Sequence, residues 1–151
     1  MNKLTIFLGG TCNGSTWRDE LIPKLNHNYF NPVVENWTPE AQAEELKQRV
    51  LCDICLYVIT PKMTGFYSIA ELIDDSIKRP TKTVFYFTTT EFFTPGATPP
   101  NCAGYISASG LHFAEHQIKS LKAIGKMVEA NGGFWAHTEE DLLEKLNGLD
   151  S

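Results

Sequence analysis

Two carboxylates bracket the stretch from residue 50 to residue 80, VLCDICLYVITPKMTGFYSIAELIDDSIKRP. The unbroken apolar run 54–59 reads as a buried strand, residues 60–65 as a turn-rich crossing, and 68–78 as a helix. Glu71 falls one turn into that helix, facing the strand's C-terminal end, and Asp53 stands where the chain joins the strand. A carboxylate kept ionised by the positive end of a helix can act as a nucleophile, so Glu71 is the expected centre of the chemistry. The same spacing, Ser68-Ile69-Ala70-Glu71, also fits a capping box, in which the glutamate reaches back to its own backbone. Asp75 lies four residues past Glu71 on the same helical face and would raise its pKa by repulsion, unless both are solvated surface acids. Asp53, with no cation nearby in sequence, reads either as a functional acid or as one solvated at the lower edge of a sheet.

Three further patterns carry chemistry in principle. Gly9-Gly10-Thr11-Cys12-Asn13-Gly14 lacks the lysine of a P-loop, yet a glycine-rich turn above a helix N-terminus can cradle a base, a sugar hydroxyl or a phosphate. Arg18 is the cation beside it, there to meet an anion or to make a surface ion pair. Cys52-x-x-Cys55 enters a strand, where positions three apart point to opposite faces, so it reads as a pair of structural thiols rather than a redox or zinc site. His112-Phe113-Ala114-Glu115-His116 spells an inverted zincin motif, but no third ligand stands out downstream and no metal is expected.

The elements that must position these residues alternate strand and helix. The apolar run 3–8, bounded by Gly9-Gly10, predicts a first strand, and Ser15 a cap for a helix reaching residue 25, shortened or kinked by Pro23. A weak second strand is expected over 29–34, broken by Pro32, and Thr38-Pro39-Glu40 opens a helix running to residue 50. After the central crossing come a strand over 83–88, a long three-proline loop to residue 104 placed like an active-site lid, and a helix over 110–130. A short strand at 134–136 and a helix capped by Thr138 end the chain. This alternation predicts an α/β fold: a flavodoxin-like, doubly wound, five-stranded parallel sheet of order 2-1-3-4-5 in a three-layer α/β/α sandwich. In that order the ligand crevice lies between the C-terminal ends of strands one and three, which sets the loop 9–15 opposite the crossing 60–67.

Length and composition bound the reading. With 151 residues, 42% hydrophobic and 21% charged, the chain fits one globular domain over 1–151. A net charge of -5 without a Lys/Arg cluster argues against a nucleic-acid polymer as partner and leaves room for one small anion. The N-terminus lacks a signal-peptide pattern and no apolar run is long enough to span a membrane, so a soluble, cytoplasmic protein with reduced cysteines is expected.

Taken in order, Phe7-Leu8-Gly9-Gly10-Thr11, Ser15-Thr16-Trp17-Arg18, Phe30-Asn31-Pro32, Trp37, Cys52-Asp53-Ile54-Cys55-Leu56 and Ser68-Ile69-Ala70-Glu71-Leu72 resemble the nucleoside 2-deoxyribosyltransferase-like family, in the branch with Trp-Arg after the first loop. The resemblance spans residues 1 to 80. It implies cleavage of the N-glycosidic bond of a 2′-deoxynucleoside and transfer of the sugar to a second base. The residue matching Glu71 would be the nucleophile, the one matching Asp53 would handle the base, and the glycine loop would frame the site. It implies no cofactor, a deoxynucleoside with a free base (or a deoxynucleotide) as ligands, and a homo-oligomer whose neighbouring subunit completes the pocket. Gly9, Gly10, Thr11, Asn13, Trp17, Arg18, Thr64, Gly65 and Tyr67 are the expected substrate contacts, with Tyr67, Trp17 and Phe66 as a stacking wall. One departure is visible: the family's base-binding aspartate, six residues before the nucleophile, is Gly65 here. Hydrolysis of a nucleoside or a 5′-monophosphate by the same carboxylate, and non-catalytic nucleotide sensing, are the alternatives.

Overall fold

The computed structural model describes residues 3–98 and 100–149. Pro99, in the long loop, and the two residues at each terminus lie outside the described residues. The first strand, β1 (Thr5–Gly10), leads through α1 (Trp17–Leu21) to β2 (Asn28–Phe30), and α2 (Pro39–Leu51) leads to β3 (Ile54–Ile59). Then follow α3 (Tyr67–Lys78), β4 (Thr83–Phe87), β5 (Thr90–Glu91), β6 (Tyr105–Ser107), β7 (Gly110–His112), α4 (Glu115–Ala130), β8 (Phe134–Trp135) and α5 (Glu139–Asn147).

Five strands pair in parallel in the order β2-β1-β3-β4-β8, the flavodoxin-like arrangement, with β3 at the centre. All six residues of β3 are buried, which is why its sequence is apolar without alternation. Side chains still alternate between layers. Phe7, Cys55, Tyr57 and Phe85 meet Leu72, Leu121 and Val128 from α3 and α4 on one face. Ile6, Leu8, Leu56 and Val84 meet Trp17, Leu21, Leu142 and Leu146 from α1 and α5 on the other. Two helices start where side chains satisfy their first amides: Thr38 accepts from Ala41 N at 3.0 Å, and Thr138 from Asp141 N at 3.0 Å.

Several boundaries differ from the sequence reading, each for a local reason. Gly9 and Gly10 belong to β1 rather than ending it, paired with Tyr57 and Val58. The first helix starts after Thr16, not Ser15, whose hydroxyl donates to Glu91 Oε1 at 2.5 Å. It gives way at Ile22 to a 3₁₀ turn carrying Pro23. The second strand is Asn28–Phe30 and stops before Pro32, which has no N–H to give a ladder. The third helix begins at Tyr67, so Ser68 is already helical and does not cap it.

The largest change concerns the long loop and the helix expected over 110–130. Gly110–His112 is a strand in a small antiparallel sheet of order β5-β7-β6, and the helix begins only at Glu115. The H-x-x-E-H residues therefore divide between a strand and a helix, and His112 Nε2 hydrogen-bonds to the Ser107 and Ser109 hydroxyls. Among the described residues, no three His, Cys, Asp or Glu side chains are grouped to hold a metal ion.

Candidate active site

At the switch point of the sheet, where β1 and β3 end, a cavity of about 340 Å³ opens between the first loop, α2 and α3. Its lining includes Gly9, Gly10, Cys12 and Arg18 on one side, Glu45 from α2, and Tyr67, Ser68 and Glu71 from α3. Pro32, Val33, Val34 and Trp37, in the segment after β2, complete it.

The floor is bare backbone because glycine is required there. Gly10 has φ +117°, and a Cβ on it would lie 2.0 Å from the carbonyl oxygen of Val58. A Cβ on Gly9 would press into the Tyr57 ring at 2.7 Å. Beyond them the loop is bolted to β3: Thr11 N donates to Val58 O at 2.9 Å, and Thr60 N to Thr11 Oγ1 at 2.9 Å. Glu91 adds a clamp, accepting from the hydroxyls of Ser15 and Thr60 at 2.5 Å each.

Among the described residues Arg18 makes no surface ion pair. It is buried, and its guanidinium donates to the carbonyls of Leu8, Thr11 and Gly10 at 3.0, 2.7 and 3.4 Å. Burial lowers its pKa, against the opposing pull of Cys12, Glu45 and Asp19. The guanidinium still keeps its charge at neutral pH. Its main work is to hold the end of β1, and one edge remains on the cavity wall.

Glu71 is 7% exposed and faces this cavity. Its Oε2 lies 3.5 Å from Arg49 Nη1 and has no hydrogen-bond partner among the described residues. Arg49 cannot serve it fully, because Nε and Nη2 are bonded to the two oxygens of Asp75 at 3.2 and 3.0 Å, and Nη2 also to Asp74 at 3.0 Å. Asp75 is wholly buried and further satisfied by the Tyr57 hydroxyl and by Arg79. Tyr57 is held protonated, its pKa raised by burial and then by Asp75. Arg49 is held charged: burial works against it, and the bond to Asp75 with the neighbouring carboxylates outweighs that.

The Glu71 carboxyl is accordingly pushed up to about 8, by burial first, then by the neighbouring Glu45 carboxyl, with Arg49 opposing. The helix dipole does not prevail: Glu71 is the fifth residue of α3, past the turn where the dipole acts most strongly. Nor is the glutamate part of a capping box. Asp75, expected to repel it or lie in solvent, does neither alone. It adds the smallest repulsive contribution and occupies the buried arginine that Glu71 would otherwise own.

The other expected contacts divide. Gly9, Gly10, Arg18 and Tyr67 line the cavity with Glu71. Thr11 lies beneath it, tying the loop down. Trp17 is buried in the core below, its indole N–H donating to Thr11 O at 2.8 Å, and it is not part of this cavity's lining. Asn13, at φ +46°, faces away and donates to Lys62 O at 2.9 Å. Thr64 and Gly65 are exposed in the crossing and outside the lining, as is Phe66. Asp53 sits at the opposite, N-terminal edge of the sheet, exposed, its Oδ2 accepting from Thr5 N at 2.9 Å. That placement removes it from the cleft.

Glu45, Arg49 and Trp37 are the charged and aromatic side chains at the site that sequence reasoning did not assign. The first two sit four apart on α2, a spacing visible in the chain, but nothing local says that this face turns inward. Cys52 and Cys55 are inert by contrast: burial pushes their thiols up to about 11 and about 12, and Cys55 Sγ donates to Arg49 O at 3.2 Å.

Fold and cleft together define a flavodoxin-like α/β protein with a buried carboxyl at its switch point. The chain belongs to the nucleoside 2-deoxyribosyltransferase-like family, whose model matches residues 3–87. That span runs from the start of β1 through β4 and contains every residue lining the cavity. No curated protein and no solved structure matches the chain.

Proposed function

We propose that the protein breaks the N-glycosidic bond of a 2′-deoxynucleoside and passes the sugar to a second base, with Glu71 as nucleophile. The observation that carries this is a 7%-exposed carboxyl with an unpartnered oxygen in the switch-point cavity of a chain from this family.

In its ionised form Glu71 attacks C1′ on the face opposite the base. The C1′–N bond breaks with its electron pair going to the base, and a glutamyl ester forms. The nitrogen lone pair of the incoming base then attacks C1′, and the ester bond returns its pair to Glu71, giving overall retention. The transition state has oxocarbenium character, which the adjacent carboxylate stabilises, and the missing 2′-hydroxyl makes that cation easier to reach. Trp37 and Tyr67, 57% and 60% exposed on the lining, supply aromatic surface for the base. With glycine at position 65 and Asp53 outside the cleft, the leaving base takes its proton from solvent at the open mouth.

The openness of that mouth favours a second acceptor, water, which would make the same step a hydrolysis. Arg18 directs its donors to backbone carbonyls, so an uncharged nucleoside suits the cavity better than a 5′-monophosphate. In this reading a second copy of the chain covers the exposed rim of Val33, Val34, Trp37 and Tyr67, in a reducing, cytoplasmic setting. The test is to incubate the protein with a deoxynucleoside and a different free base and to separate the products. Exchanged nucleoside that disappears with Glu71→Ala supports the reading, and no exchange or free base from any common substrate overturns it.

A further inference from the structure

β8 is the shortest strand of the parallel sheet. Its ladder with β4 ends at Phe85 and Trp135, closed by Ala136 N donating to Phe85 O at 2.8 Å, while β4 runs on to Phe87. Beside that overhang lies a cavity of about 860 Å³, walled by the ends of β4 and β8, the threonines at 88–90 and α4. It is larger than the Glu71 cleft and shares no lining residue with it. Apart from Tyr86 and Phe87, its lining falls after the 3–87 span that the family's model matches.

The chain carries 13 basic and 18 acidic residues, yet this lining holds Lys122, Lys126 and His137 and no Asp or Glu. The lysines sit four apart on α4, so one face of the helix presents both to the cavity. Both are exposed, and neither has an ion-pair partner among the described residues. The acids flanking the lining in sequence are committed elsewhere: Glu91 to the Ser15 and Thr60 hydroxyls, and Asp141 to the His137 N–H at 3.0 Å. Thr88 Oγ1 is buried with no partner among the described residues, which leaves the wall a hydroxyl donor that the fold itself does not use. Two ammonium groups and several hydroxyls around an acid-free hollow suit an anion rich in acceptor oxygens, as a phosphate monoester is.

The lining also offers a flat ring surface. Phe87, Trp135 and His137 form an aromatic ladder with successive ring centroids 6.3 and 4.1 Å apart. Trp135 is buried because α4 has glycine where it crosses the indole: a Cβ on Gly125 would come within 2.3 Å of that ring. His137 is exposed and ends the ladder, so a planar ring can extend it. We propose that this cavity binds a nucleoside 5′-phosphate, its phosphate held by Lys122 and Lys126 and its base stacked on His137. A volume of about 860 Å³ suits a ligand of that size. The site does not rest on the glycosyl-transfer reading. It adds a second ligand, and a charged one that the Glu71 cleft, where Arg18 donates to backbone carbonyls, receives less well.

The experiment records ¹H–¹⁵N spectra of the full chain as 2′-deoxyadenosine 5′-monophosphate, 2′-deoxyadenosine or inorganic phosphate is added. The monophosphate should move the amides of Phe87, Thr88, Lys122, Lys126 and His137 and the Trp135 indole, saturably and at lower concentration than either fragment. Lys122→Ala combined with Lys126→Ala should weaken it about tenfold or more, and the two arginine replacements at those positions should stay within about twofold of wild type. His137→Ala should weaken the monophosphate about threefold or more and leave inorganic phosphate unchanged. Glu71→Ala should bind as wild type does. Absence of a saturable shift, or shifts that survive removal of both lysines, overturns the proposal. Loss of binding in Glu71→Ala also overturns it, by putting the ligand in the other cleft. Inorganic phosphate binding as tightly as the monophosphate leaves an anion site only and overturns the nucleotide assignment. The lysine and histidine substitutions are at exposed positions, and unchanged spectra away from the cavity establish that each variant is folded. Binding is read without turnover, so an inactive protein defeats the proposed function and not this one.

Discussion

Arg49 meets the Glu71 carboxyl with a single nitrogen, at 3.5 Å, while giving two others to the Asp75 carboxyl at 3.2 and 3.0 Å. One buried guanidinium thus faces two buried carboxyls and serves one of them well. The unequal division leaves Glu71 with an unpaired oxygen beside the cavity, where burial first and the Glu45 carboxyl second raise its pKa to about 8 against the weakened pull of Arg49.

Removing that guanidinium should be severe. Arg49→Ala leaves Asp75 buried with only Tyr57 and Arg79, and should lower unfolding free energy by about 3–5 kcal/mol in a urea titration. Arg49→Lys cannot reproduce the two-pronged contact and should recover only part of the loss. Equal stability of Arg49→Ala and wild type would show that the network is not formed.

The pH dependence follows from Glu71. Attack needs the ionised form, so the transfer rate should rise with pH and approach its plateau above about 8. Stability should run the other way. The folded pKa lies above the unfolded value of 4.5, so the native state binds more protons and loses stability as pH climbs from 4.5 to about 8. Glu71→Gln removes that loss: it should melt near wild type at pH 4 and above it at pH 9, while abolishing transfer.

Gly10→Ala tests the floor of the cleft. The substitution combines φ +117° with a 2.0 Å approach to Val58 O, and that obstacle is backbone. The loss should be at least about 2 kcal/mol, a fall in Tm of several degrees by calorimetry. Gly65→Ala, with no atom within 4 Å of its added methyl, should leave Tm nearly unchanged.

Asp53→Asn separates the cleft from the opposite edge of the sheet. Only a hydrogen bond from Thr5 N is at stake there, at an exposed position, so the expected change is about 1 kcal/mol or less with kcat and KM unaltered. A large fall in kcat would return Asp53 to the chemistry.

The elements themselves were legible because their signals are local. Six consecutive apolar residues at 54–59 specify a strand buried on both faces, and Thr38-Pro39 specifies where a helix starts. The alternation of such elements then leaves few sheet orders to choose among, and the observed β2-β1-β3-β4-β8 is the expected one. The strand at Gly110–His112 was not legible as such, because it exists only by pairing with Thr90-Glu91 and Tyr105–Ser107.

For the site, the chain alone singled out Glu71 and the glycine loop by residue type and spacing. Which acids share the cleft was settled by packing. Asp53 and Glu71 flank the same strand in sequence, but a parallel strand carries its two ends to opposite edges of the sheet. Glu45 and Arg49 are 26 and 22 residues from Glu71 along the chain and reach it only because α2 and α3 cover the same face. Spacing along a chain encodes hydrogen bonds made within a turn or two. It does not encode which carboxyls are buried together around one guanidinium, and that burial is what raises the pKa of the nucleophile.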